Sequence, residues 1–182
     1  MNNAFVPTAK KPLVVIMHVQ TTRMDRNFYK PLEEQGGRIF VPYDNLCKLA
    51  AEAHNAGKPV MFVELAGKSK TEKALLDAAG GLQNGNRIII SENYGPASVI
   101  FNELEKDGSG TQPVILGGFS KYCCVYPTVC GLVGMGVKVI TSDDILMWKE
   151  KGNDSYHFEI DWFFLKKTRF LPLPKILSMI RA

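Results

Sequence analysis

The sequence predicts an α/β protein: a three-layer α/β/α sandwich, Rossmann-like in arrangement, around a central parallel sheet. Three observations carry this. Apolar runs of strand length recur along the chain, each bounded by turn residues. Stretches with apolar residues at helical spacing alternate with them. The connections are mostly short, and strand–helix–strand units with short connections build a parallel sheet covered by helices on both faces. The length of 182 residues suits one domain, 1–182, with a core over about 12–145. The segment 155–182 then serves to dock on that domain or on another subunit.

The elements follow in order. "LVVIMHV" (13–19) is a buried strand. In "YDNLCKLAAEAHNAG" (43–57), Leu46, Leu49, Ala50 and Ala53 share a helix face and Gly57 is the stop. "KPVMFVEL" (58–65) is the second strand, and "SKTEKALLDAAGG" (69–81) a short helix ended by glycines. "NRIIIS" (86–91) is the third strand. "PASVIFNELEKDG" (96–108) opens on Pro and closes on Gly, the usual asymmetry of a helix. "PVILGG" (113–118) is the fourth strand, 122–135 a helix, and "VKVITS" (137–142) the fifth strand. Two stretches break the pattern. Residues 21–42 read as a long polar connection, and a long loop inside a compact domain is often functional. Residues 155–182 carry clustered aromatics and then basic residues punctuated by proline, which predicts a helix over 154–166 and an extended arm after it.

Bulk properties exclude several classes. A formal charge of +4 with scattered Lys and Arg gives no nucleic-acid surface. No apolar run reaches the length of a membrane span. The first twenty residues lack the order of a signal peptide. Cys47, Cys123, Cys124 and Cys130 are not spaced as a disulfide framework, which points to a reducing cytoplasm.

In a parallel sheet, ligands bind outside the carboxyl ends of the strands. His18, Glu64, Glu92 and the turn 117–124 all fall at such ends. Within that turn, "GGFSKYCCV", two cysteines follow an apolar run and a Gly-Gly step. A cysteine in the first turn of a helix faces unsatisfied backbone N–H groups and the positive end of the helix dipole, which favour its thiolate. Either Cys123 or Cys124 is thereby a candidate nucleophile.

The order of elements and this turn resemble the isochorismatase-like cysteine hydrolases, which include nicotinamidases, over residues 12 to 145. The family pattern runs Gly, apolar, small, Thr, two variable residues, Cys, Val, with a Thr four residues after the Cys and a Gly before the next strand. The matching residues are Gly118, Phe119, Ser120, Lys121, Tyr122, Cys123, Cys124, Val125, Thr128 and Gly136. The resemblance selects Cys124 as the nucleophile position and leaves Cys123 to pack. It also implies a cis peptide at Phe119–Ser120 and an oxyanion hole from the N–H groups of Ser120 and Cys124. The departures are as telling. The family's first strand ends Asp, variable, Gln; here "MHVQ" keeps Gln20 and puts His18 in place of the acid. The family's lysine follows the third strand, where Ser91 and Glu92 stand. The metal-binding residues of the nicotinamidase branch have no counterpart near the second strand, so no metal or other cofactor is expected.

These residues imply a hydrolase of a small amide, imide or related substrate, with Cys124 attacking and His18 moving protons, since imidazole titrates near neutrality. Gln20, Glu64, Glu92, Phe119 and Lys121 would line the pocket. The alternative is a family member without activity that binds a small ligand or a protein; a third option is a redox-sensing pair at Cys123 and Cys124. The expected partners are a small molecule and further copies of the chain, as a dimer or tetramer, with Trp162 or Phe163 in the interface.

Overall fold

The computed structural model describes residues 11–20, 30–31, 33–34, 36–106, 112–149 and 155–182. At its centre lies β1 (Leu13–Met17), buried along its length. It pairs in parallel with β2 (Val60–Leu65) on one side and β4 (Val114–Phe119) on the other, Val14 standing opposite Val60 and Ile115. β3 (Arg87–Ser91), β5 (Val139–Thr141) and β7 (Arg169–Phe170) extend the sheet to the order β3-β2-β1-β4-β5-β7, and β6 (Leu146–Met147) pairs β4 beyond the end of β5. Every pair within this sheet is parallel. The chain runs outward from β1 to β3 and then returns to start β4 on the other side of β1. The switch point therefore lies between the carboxyl ends of β1 and β4, the place where such sheets bind ligands.

Side chains alternate across a strand, and the sheet has two apolar faces. Leu13, Val15, Met17, Met61 and Val63 pack with Ile100 and Leu104 of α3 (Ala97–Lys106), Val129 and Leu132 of α4 (Tyr126–Gly134), and Ile160 and Phe164 of α5 (Ser155–Lys167). Val14, Ile16, Val60 and Phe62 pack with Leu46 and Leu49 of α1 (Phe40–Asn55), Leu75 of α2 (Lys73–Ala78), and Leu173, Ile176 and Ile180 of α6 (Leu173–Arg181). The result is the expected three-layer sandwich.

Three elements differ from expectation. α1 begins three residues early: the Glu33 carboxylate accepts from the N–H groups of Ile39 and Phe40 at 3.1 and 2.8 Å, and Pro42 falls in the first turn, where no intrahelical N–H is required. The rest of the irregular stretch 21–42 lies largely outside the described residues. The predicted helix 122–135 is a π-helical turn, Lys121–Val125, followed by α4. The predicted extended arm after 166 is instead β7 and then α6, which packs on α1. Its prolines sit at the helix start, with Pro174 in the first turn, so they begin a helix rather than prevent one. Arg181 holds Glu52 of α1 through two bonds of 2.8 and 2.9 Å, and the Lys58 ammonium donates to the Ile180 carbonyl. No helix among the described residues is long and apolar enough to cross a membrane.

Candidate functional site at the carboxyl ends of β1 and β4

Close backbone approach builds the turn after β4. A Cβ on Gly118 would lie 2.1 Å from the Met17 carbonyl oxygen, on a backbone at φ +136°, and one on Gly117 would lie 2.7 Å from Leu46 Cδ2 and 2.9 Å from the Ile145 carbonyl. Only glycine fits either place. The Gly-Gly step thus lets β4 press between β1 and the segment around Ile145. The Phe119–Ser120 peptide that follows is cis, as the resemblance implies. The Ser120 carbonyl then accepts from the N–H groups of Cys123, Cys124 and Val125 at 3.1, 3.0 and 3.0 Å. Thr128 Oγ1 donates to the Cys124 carbonyl at 2.7 Å, which gives the matching threonine a definite role in holding the turn.

The register pairs Met17 with Gly118. His18 and the Cys124 turn therefore emerge side by side at the switch point. His18 adopts φ +56°, and its N–H stays bonded to the Val63 carbonyl at 2.8 Å. Both candidate groups are enclosed: His18 is 0% exposed and Cys124 1%.

Several expected roles are corrected. The Cys124 N–H is donated to Ser120, so the oxyanion hole of Ser120 and Cys124 is not open in this arrangement. Cys123 is exposed rather than packed: Cys124 faces the core, and its neighbour in a helical turn points away from it. Glu92 is exposed; it lies outward, while Ser91 turns in and bonds Asn93 through its hydroxyl at 2.8 and 3.2 Å. Gln20 spans to the end of β2, its amide nitrogen donating to the Leu65 and Ser69 carbonyls and its oxygen accepting from the Leu65 N–H. Glu64 is buried and bonded to the N–H and hydroxyl of Thr71 at 2.7 and 2.9 Å, with Lys70 at 3.5 Å. By strand alternation it follows Val60 and Phe62 onto the α1 face, opposite the face where Cys124 packs. Phe119 packs into that same α1 face. Gln20, Glu64 and Phe119 thus hold the frame of the site rather than line a pocket at Cys124.

Lys121 is the exception among the expected pocket residues. Its side chain is only 4% exposed, yet its ammonium lies 2.7 Å from Asp143 and 2.6 Å from Asp161. The rings of Tyr122 and Trp148 stand 5.1 Å from it and that of Phe164 5.7 Å, a geometry in which ring faces and carboxylates together replace water around a cation. Tyr122 donates to Asp161 at 3.2 Å, and burial, then the carboxylates of Asp161 and Asp143, push its phenol well above the ordinary range. A cavity of about 130 Å³ borders Lys121, Asp143, Asp161, Phe164, Leu165 and Phe170. This cluster ties the cysteine turn to α5 and to the segment after β5. Sequence reasoning named Lys121 but missed Asp143, Asp161 and Trp148; a lysine among the apolar residues of this turn was the signal that partner acids arrive from elsewhere in the chain. Among the described residues, no group of three or more His, Cys, Asp or Glu is placed to hold a metal ion.

No protein-family model matches the chain, and no curated protein matches it. Solved structures do. The MAR1 ribonuclease of Caenorhabditis elegans aligns at 14% identity over 94% of this chain and 82% of its own, with a TM-score of 0.72. A proposed hydrolase of the isochorismatase family from Chromobacterium violaceum aligns at 13% over 95% of both chains, with a TM-score of 0.67. The nicotinamidase SaPncA of Staphylococcus aureus aligns at 11% over 89% of this chain and 99% of its own, with a TM-score of 0.64. At these identities the likeness concerns the fold, which is the isochorismatase-like α/β sandwich.

Proposed function

We propose that this protein hydrolyses a small, uncharged amide, imide or related substrate through Cys124. The reading is supported by the register that pairs Met17 with Gly118, so that His18 and the turn carrying Cys124 follow adjacent strand ends at the switch point of the sheet. A fold shared with both a ribonuclease and a nicotinamidase selects no substrate by itself; the thiol, a nucleophile suited to acyl transfer, does. In the proposed cycle the Cys124 sulfur attacks the carbonyl carbon and its proton passes to the His18 imidazole. The C–N bond breaks, the amine leaves with that proton, and water cleaves the thioester to release the acid and restore the thiol. Substrate entry requires the enclosed pair to open. An anionic substrate is disfavoured by charge: the lysine of the family pattern is absent, and the cation nearby in sequence, Lys121, is outweighed by two aspartates.

The test is turnover across a panel of amides, imides and esters. His18→Ala and Cys124→Ala each abolish it if the pair acts as described, and His18→Asp does not raise it. Hydrolysis that depends on Cys124 but is unchanged in His18→Ala refutes the Cys–His step. A second reading, a ligand-binding module without chemistry, is favoured by the near-complete enclosure of both groups and by the outward Glu92. It is distinguished by absent turnover in the native protein together with ligand affinity that Cys124→Ala leaves intact.

A further inference from the structure

A cavity lies at the other end of the sheet. It has a volume of about 520 Å³ and opens beside Pro12, Pro113 and Lys138, the residues that precede β1, β4 and β5. Lys11, Lys138, Lys167 and Arg169 all line it, and all four are exposed. No Asp or Glu side chain is among the lining residues. Four like charges around one concave volume repel one another, and an anion placed between them relieves that repulsion. The local field is felt by a fifth cation: Lys58 is held below its ordinary range by burial and then by Lys11. The remaining walls are aliphatic, from Pro12, Pro113, Val139, Ile140, Met179 and Ala182, and the Ala182 α-carboxylate offsets one of the four positive charges, leaving the lining cationic. The volume lies within the range of small-molecule sites. No aromatic ring is among the lining residues.

We propose that this cavity binds an amphiphilic organic anion, with a carboxylate or phosphate head among the four cations and an aliphatic body against the walls. Arg169 suits such a head because its planar fork matches two oxygens at once. The site lies at the amino ends of the strands, opposite Cys124, so its occupant does not compete for the thiol and its binding is independent of hydrolysis.

The probes are octyl phosphate, octanoate, octanol and inorganic phosphate, titrated calorimetrically into the full chain. Both amphiphilic anions bind one to one, about tenfold or more tighter than octanol or inorganic phosphate, and their affinity falls with added salt because the cations are exposed. The double variant Lys138→Gln, Arg169→Gln loses about tenfold or more in affinity while keeping the native circular dichroism spectrum, and Cys124→Ala binds as the native protein does. Octanol binding as tightly as the anions, no saturable binding of either anion up to about 1 mM, or equal affinity in the double variant overturns the proposal.

Discussion

An alanine methyl at position 118 meets the Met17 carbonyl at 2.1 Å on a backbone that side chains rarely adopt. Gly118→Ala is therefore expected to cost about 3 kcal/mol or more. At Gly134, the end of α4, an added methyl meets nothing within 4 Å and the backbone has no positive φ, so Gly134→Ala is expected to stabilise by about 0.5–1 kcal/mol. Urea unfolding of the two variants checks both signs. Lys121→Met removes the cation between Asp143 and Asp161 and is expected to destabilise by about 2–4 kcal/mol, less than a fully enclosed pair because both acids retain some exposure; a change under about 1 kcal/mol would show the cluster to be a surface pair. The glycines and Cys124 are legible in the sequence because their signal is local: adjacent residues in one turn. The acids that hold Lys121 are not, because they arrive from the segment after β5 and from α5. The exposure of Cys123 is hidden for another reason: helical spacing says that it points away from Cys124, but not whether another element covers it there.

Strands announce themselves through apolar runs between turn residues, and each of the five lies within two residues of its expected ends. The C-terminal helix does not, because Pro172 and Pro174 suit extended chain as well as a helix start. Leu173, Ile176 and Ile180, at helical spacing, are the signal that decides between the two. The helices also set the alkaline limit of stability. Burial is the largest cause that pushes up the thiols of Cys47 on α1 and Cys130 on α4, from an ordinary value of 9.0, and the phenols of Tyr43 and Tyr122, from 10.0. A group whose folded pKa is raised keeps its proton longer in the folded state, so its contribution is complete below the unfolded value and is lost as pH rises. The urea midpoint is expected to fall from about pH 9 upward, and Cys47→Ala is expected to flatten that fall. A midpoint that stays level between about pH 8 and 10.5 contradicts it.

At the scale of the molecule, the parallel layered architecture is readable from the alternation of elements, and so is the arrival of His18 and the cysteine turn at the carboxyl ends, but the strand order and what gathers at the amino ends are not. Lys11, Lys138, Lys167 and Arg169 are dispersed in sequence and meet only because β1, β5 and β7 begin at the same end. The outer face of α5 presents Phe158, Trp162 and Leu165 at 72%, 51% and 63% exposure, while Phe163 turns inward to Tyr126 at 5.4 Å between ring centres. An apolar helix stripe of this kind marks an interaction surface, and we expect a homo-oligomer built on Trp162 rather than Phe163. Removing 155–182 would strip β7 and α6 from the sandwich, so Trp162→Glu is the cleaner variant; light scattering should show it smaller than the native assembly, and a monomeric native protein would end the idea. The central claim is hydrolysis at Cys124, and trapping the acyl intermediate tests it most directly. Peptide mass spectrometry after brief exposure to neutral amide, imide and ester substrates should find an acyl group on Cys124, formed and lost at the rate of turnover and absent from Cys124→Ala. Acylation confined to the exposed Cys123, or turnover undiminished in Cys124→Ala, would contradict it.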